Sequence, residues 1–128
     1  MRILLALVVT VTLAGCASLS QHQCLHGDWY AIGLGDGQLG LPAERLDRHN
    51  QACARYNVTI DRQRYLEGRA EGLAEYCRLD NAVTTGLNGH RYQGVCPPAV
   101  DREFEQANRA AFEVHTLRQE LDSIDNQL

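Results

Sequence analysis

The period of the apolar positions changes several times along the chain. Ile3 to Leu13 is apolar except for Thr10 and Thr12, and is followed by a polar stretch. Asp28 to Gly40, DWYAIGLGDGQLG, then brings four glycines. Gly33 and Gly37 are four apart, as are Trp29 and Gly33, and Asp36 and Gly40, so a helix here carries small residues on one face, with Asp28 able to cap it. So many glycines equally suit a loop, and the pattern alone leaves both open. Leu46, His49, Cys53 and Tyr56 follow in steps of three, four and three, which predicts a helix over 43–56 with Pro42 in its first turn. Asn57 to Asp61 interrupts, with Asp61 as the next N-cap. Over Arg62 to Arg78 a stripe of Leu66, Ala70, Leu73 and Cys77 has helical spacing, and Tyr65, Gly68, Gly72 and Tyr76 run beside it. Each interior Gly costs a helix about 1 kcal/mol relative to Ala, so a close helix crossing is expected to offset the loss, with Gly33/Gly37 packing on Gly68/Gly72. Leu79 to Pro98 is rich in Gly and Asn. It predicts a short helix over 82–87 capped by Asp80, then a loop ending at Cys96-Pro97-Pro98. Beyond Asp101, read as a cap, Ala107, Ala110, Val114, Leu117, Leu121, Ile124 and Leu128 alternate in steps of three and four, an a/d seam over three heptads.

These elements predict an all-α fold: a small antiparallel helical bundle stapled by two disulfides, with a long heptad-patterned C-terminal helix. The segments are 1–15, an export signal; 16–23, a tether; 24–98, the stapled helical domain; and 99–128, the amphipathic terminal helix. Cys24, Cys53, Cys77 and Cys96 make an even set in a small exported domain, which reads as two disulfides. If helices 43–56 and 62–78 form an antiparallel hairpin, Cys53 lies at the turn and Cys77 at the far end, too distant for a bridge that needs Cα atoms within about 7 Å. If 28–40 is a helix antiparallel to 43–56, Cys24 falls at the Cys53 end. The expected pairs are therefore Cys24–Cys53 and Cys77–Cys96.

The amino terminus reads as an address. Met1-Arg2 is basic, the apolar run of about eleven residues is too short for a bilayer core that needs roughly twenty, and small residues close it, as in a secretory signal peptide. Its ending, Leu13-Ala14-Gly15-Cys16, resembles the lipobox of bacterial lipoproteins. That resemblance implies cleavage between Gly15 and Cys16, a diacylglyceryl group on the Cys16 thiol and acylation of the new amino terminus. Ala17 and Ser18, with no Asp after Cys16, imply by the same resemblance the outer membrane, on its periplasmic side. Fully extended, Ala17 to Gln23 reaches about 23 Å, which keeps the domain near the bilayer.

Charge narrows the partners. The chain has 12 Arg, no Lys and 16 acidic residues, for a net charge of −4. A nucleic-acid binder shows a basic footprint that is not expected here, and a polybasic membrane-binding surface is equally unexpected. With no Lys a Schiff-base mechanism is not expected, nor, with Leu128 last, is covalent attachment to peptidoglycan through a C-terminal Lys.

The combination GDWYAIGLGDGQLG, RLDRHNQAC, YLEGRAEGLAEYC, GHRYQGVCP and a heptad-bearing tail resembles an uncharacterised family of small proteobacterial lipoproteins, a domain of unknown function, over nearly all of the mature chain. The resemblance implies an envelope lipoprotein, favours the helical reading of 28–40, and transfers no functional residues.

Candidate chemistry is sparse. His49 lies one turn before Cys53, and Asp36 and Arg69 lie in the two glycine-spaced segments. If these pack, Asp36, His49, Arg69 and Tyr76 converge, either as a general-base site or as a buried polar staple. No catalytic residue, cofactor or metal is expected. His22 and His26, four apart around Cys24, fall in the tether and are a poor metal site. Trp29 reads as core or as an aromatic contact patch. The leading expectation is a non-enzymatic envelope lipoprotein that meets the membrane through Cys16 and another envelope protein, or a second copy, through its terminal helix. The alternatives are a small-ligand or cell-wall-directed enzyme site around Asp36, His49 and Arg69, and an inhibitor of lysozyme-like enzymes.

Overall fold

A computed structural model describes residues 17–128; the signal segment and Cys16 lie outside the described residues. Six helices follow in order: α1 (Gln21–His26), α2 (Trp29–Gln38), α3 (Arg45–Ala54), α4 (Arg62–Tyr76), α5 (Leu79–Leu87) and α6 (Pro98–Asp125). There is no strand among the described residues. The all-α class, both disulfides and the long terminal helix match the expectation. Cys24–Cys53 has its Cα atoms 5.3 Å apart and Cys77–Cys96 5.6 Å apart.

Local signals set the helix starts. Asp28 accepts from the amides of Tyr30 and Ala31, and Asp61 from that of Arg64, satisfying donors that a helix N-terminus leaves free. Ser20 and Gln23 form a reciprocal capping box on α1. Two expected caps are displaced. Pro98 opens α6 in the first turn, where its missing N–H costs nothing, and Asp101 instead accepts from the Tyr92 hydroxyl at 2.5 Å. Asp80 lies inside the first turn of α5 rather than before it.

The glycine faces meet as the spacing predicted. A Cβ built on Gly33 would lie 2.0 Å from the Tyr65 carbonyl oxygen, and one on Gly37 2.3 Å from that of Arg69. From the other side, Gly68 would meet the Tyr30 carbonyl oxygen at 2.0 Å and Gly72 that of Leu34 at 2.2 Å. The backbones of α2 and α4 are therefore in contact over two turns, with no room for any side chain. Contacts advance together along both helices, from Tyr30–Glu71 to Gln38–Glu75, so α2 and α4 run parallel. The same holds for α5 and α6: Gly86 backs onto Asn108 and Ala111, and Leu87 meets His115. Two successive reversals, 28–40 to 43–56 and 43–56 to 62–78, make α2 and α4 parallel, and the 88–97 return does the same for α5 and α6. The hairpin of 43–56 with 62–78 is not the main packing, since α4 spends its close face on α2.

That close face also shifts the buried stripe of α4. Tyr65, Gly68, Gly72 and Tyr76 are buried, whereas Leu66 and Ala70 face outward. Tyr65 closes a core with Leu46, Ile60, Trp29 and Ile32, beside the Cys24–Cys53 bridge. Tyr76, at the other end of α4, joins Cys77, Cys96, Ala82 and Phe104 in a second core. Helix α4 thus links two cores, one at each end.

Candidate functional site

Between α2, α3 and α4 lies a chain of polar side chains inside the first core. The Asp36 carboxylate accepts from Nε2 of His49 at 2.7 Å and from the Tyr65 hydroxyl at 2.7 Å, both on Oδ2. The other ring nitrogen, Nδ1 of His49, lies 2.7 Å from the Ser18 hydroxyl. An ionised Asp36 makes Nε2–H the donor. Exposure is 8% for Asp36, 1% for His49 and nil for Tyr65.

Burial works to raise the Asp36 pKa, but the hydrogen bonds from His49 and Tyr65, helped by the charges of His49 and Arg45, outweigh it. The carboxyl is held below its ordinary value. Tyr65 is pushed well above the ordinary phenol by burial and by its bond to Asp36.

Of the four residues expected to converge, Asp36 and His49 touch. Arg69 is a neighbour whose charge acts on Tyr65, but its Nη2 donates to the Leu41 carbonyl at 2.9 Å and it forms no ion pair with Asp36 among the described residues. Tyr76 does not join them: it stacks 5.1 Å from Phe104 in the second core, because seven residues of helix carry it roughly 10 Å beyond Arg69. Two members escaped the sequence reading. Tyr65 stood one position beside the Leu66 stripe, and Ser18 stood in the presumed tether. That segment is in fact packed from Ser18 on: Leu19 is buried and Ser18 is bonded to His49. His22 and His26 are exposed with rings 5.1 Å apart, and no group of three metal-ligating side chains occurs among the described residues. Trp29 packs against both subclusters of the first core, as a core residue.

The second core has its own polar clamp, also unread from the sequence. Asn108, 2% exposed on α6, donates to the carbonyls of Ala82 and His90 and to the Thr85 hydroxyl, and accepts from the Tyr92 amide at 2.8 Å. These bonds hold the 88–97 return against α5. Tyr92, whose hydroxyl lies between Asp101 and the Cys96 amide, has its pKa pushed up to about 12 by burial and by the Asp101 carboxylate.

Of the predicted seam only Ala107 packs against the domain, while Ala110, Val114, Leu117, Leu121, Ile124 and Leu128 are exposed; the face of α6 turned to the domain is instead Phe104, Asn108, Ala111 and the half-buried His115. Leu117, Leu121 and Ile124 are 58%, 62% and 54% exposed, and every residue from Leu117 onward is exposed.

A family model described as a protein of unknown function, DUF2799, matches residues 28–113. The chain belongs to the DUF2799 family. Its DUF2799 part includes Asp36, His49, Tyr65, Asn108 and three of the four bridged cysteines, and stops just short of the exposed seam at Val114. YfiL of Escherichia coli (strain K12), itself described as an uncharacterized protein, is 32% identical over 69 residues, which are 54% of this chain and 52% of that protein. The chain thus spans about half the length of this curated relative. No solved structure matches.

Proposed function

We propose that this DUF2799 protein is a lipid-anchored interaction protein of the bacterial envelope. In this reading Cys16 carries the lipid, the domain faces the periplasm from the outer membrane, and the end of α6 binds another envelope protein or a second copy. The protein itself is not an enzyme. The observation that carries the reading is the stripe Leu117, Leu121 and Ile124, which stands clear of both cores on a continuous helix. A helix that is apolar along one stripe and packs it on nothing is unfavourable unless a partner covers it. The amino-terminal tetrapeptide supports the anchor, and the two disulfides suit an oxidising compartment.

In-cell photo-crosslinking from Glu113 and Glu120 tests it. Amine-directed reagents are unsuitable because the chain has no Lys. A discrete adduct, with a partner or with itself, is expected from Glu120. A monomer with no adduct from either position would refute the interaction role, and a Cys16→Ala variant that still fractionates with membranes would refute the anchor.

One observation favours a second reading. Ser18, His49 and Asp36 have the connectivity of a hydrolytic Ser-His-Asp relay, with the two ring nitrogens exchanged. Against it, Asp36 is already shared with Tyr65 and both inner members are buried. The cluster fits a staple that ties the amino-terminal segment to α2, α3 and α4. Active-site-directed fluorophosphonate labelling decides between them: no labelling at Ser18 is expected, and labelling abolished by His49→Ala would establish the hydrolase.

A further inference from the structure

Arg45, Arg48 and Ala52 of α3 and its C-cap Arg55, still in helical conformation, follow in steps of three, four and three, a single face about 15 Å long at 1.5 Å per residue. With Ala17, Ser18 and Gln51 they line a cavity of about 410 Å³, a size suited to a small ligand. Three guanidinium groups and no carboxylate line it, in a chain whose net charge is −4. None of the three forms an ion pair among the described residues. Arg45 also keeps a buried Nε without a hydrogen-bond partner among the described residues. A buried donor left unpaired is costly. Arg is the side chain whose planar fork matches phosphate oxygens two at a time.

From these residues we infer that the Arg45–Arg48–Arg55 face is a phosphate-binding site, with Ser18 and Gln51 as additional polar contacts. Its position indicates the source. Ala17 both lines the cavity and directly follows Cys16, and Leu19 is packed into the core, so no slack separates the cavity from residue 16. If Cys16 is lipidated, as proposed above, the arginines lie at headgroup level and the phosphate is that of an anionic phospholipid. A phosphate-bearing solute uses the same chemistry, and that part of the inference does not depend on the anchor.

The test uses the full chain in nonionic detergent, labelled with 15N at the arginine side chains. The Nε signal of Arg45 is followed while inorganic phosphate, or water-soluble dihexanoyl phosphatidylglycerol, is added. Saturable shifts are expected for both, with Arg48→Gln and Arg55→Gln each weakening binding about tenfold, the effect of losing one charge-assisted contact. Arg48 and Arg55 are exposed, so these variants keep the fold. Phosphatidylglycerol binding at least about tenfold tighter than phosphate identifies a headgroup site; equal or tighter binding of phosphate identifies a solute site. An unmoved Arg45 Nε, or a shift that survives the Arg48→Gln, Arg55→Gln double variant, overturns the assignment. Because both probes are soluble and need no anchored lipid, failure here is distinguishable from failure of the Cys16 proposal.

Discussion

Glycine-to-alanine substitution should have opposite signs at neighbouring positions of α2 and α4. Gly35 sits on α2 with nothing within 4 Å of a built Cβ. Alanine there removes the helix penalty of glycine and is expected to stabilise by about 1 kcal/mol. Gly68 sits at the crossing, where the same Cβ would lie 2.0 Å from the Tyr30 carbonyl oxygen, 2.8 Å from its carbon and 2.9 Å from the Leu34 amide nitrogen. All three are backbone atoms of a packed helix, so no side chain can rotate away. The helices must part by roughly an ångström, and overpacking of this kind costs about 3 kcal/mol at the upper end of its usual range. Set against the propensity gain of about 1 kcal/mol, Gly68→Ala should lose about 2 kcal/mol net. The two variants should then differ by about 3 kcal/mol, or roughly 12 °C in melting temperature for a domain of this size. Thermal and urea unfolding of the oxidised proteins measure this directly. A Gly68→Ala protein as stable as Gly35→Ala would refute direct backbone contact between α2 and α4.

The remaining predictions concern the staples and the tail. Replacing Cys24 and Cys53, or Cys77 and Cys96, by alanine pairs should cost roughly 3–4 kcal/mol each from loop closures of 29 and 19 residues, read as a drop in urea midpoint. Asp36 is held below its ordinary pKa in the folded chain, so it binds a proton less readily folded than unfolded. Its contribution is present above about pH 4 and is lost as pH falls through the folded value; Asp36→Asn should lose about 3 kcal/mol at pH 7 and flatten the acid limb of stability against pH, and an unchanged acid limb would contradict the assignment. Asn108→Ala should cost about 3 kcal/mol by leaving the Ala82 and His90 carbonyls and the Tyr92 amide without their partner, with faster amide exchange across 88–97 as the specific readout. Deleting 117–128 should change stability by only about 0.5 kcal/mol, because every residue removed is exposed, while abolishing crosslinks from the tail.

Where spacing carried a physical constraint, the fold was legible. Two glycine pairs with four-residue spacing have few uses on a helix besides close approach, and they do meet. The disulfide pairs were recoverable from distance along the helices, even though the hairpin assumed for α3 and α4 is not the principal packing. The buried stripe of α4 was misassigned because Leu66 and Ala70 are apolar and regularly spaced, yet a leucine face would hold α2 too far away for the glycines to touch. The direction of α4 against α2 followed from two successive reversals, whereas that of α6 against α5 was not legible, since a parallel pair and an antiparallel pair share the same apolar period. Within the candidate site, Asp36 and His49 were identifiable as polar residues on inward faces. Ser18 was hidden by its nearness to the amino terminus, and Asn108 by the lack of any spacing rule for a lone polar residue inside a helix.

The placement of the two disulfides also determines how the molecule bears tension. A pull between residue 17 and Leu128 follows the shortest covalent route, crossing from Cys24 to Cys53 and from Cys77 to Cys96. Residues 25–52 and 78–95, which contain α2, most of α3 and α5, are bypassed and carry no load. Each bypassed residue withholds roughly 3.5 Å of extension. Among the inner helices only α4 lies in series, and α4 is the one whose glycines grip the bypassed α2. Stretching it means sliding one glycine face along the other, a shearing motion in which many contacts resist at once. Oxidised, the domain is a short, stiff link; reduced, it becomes a long, compliant one.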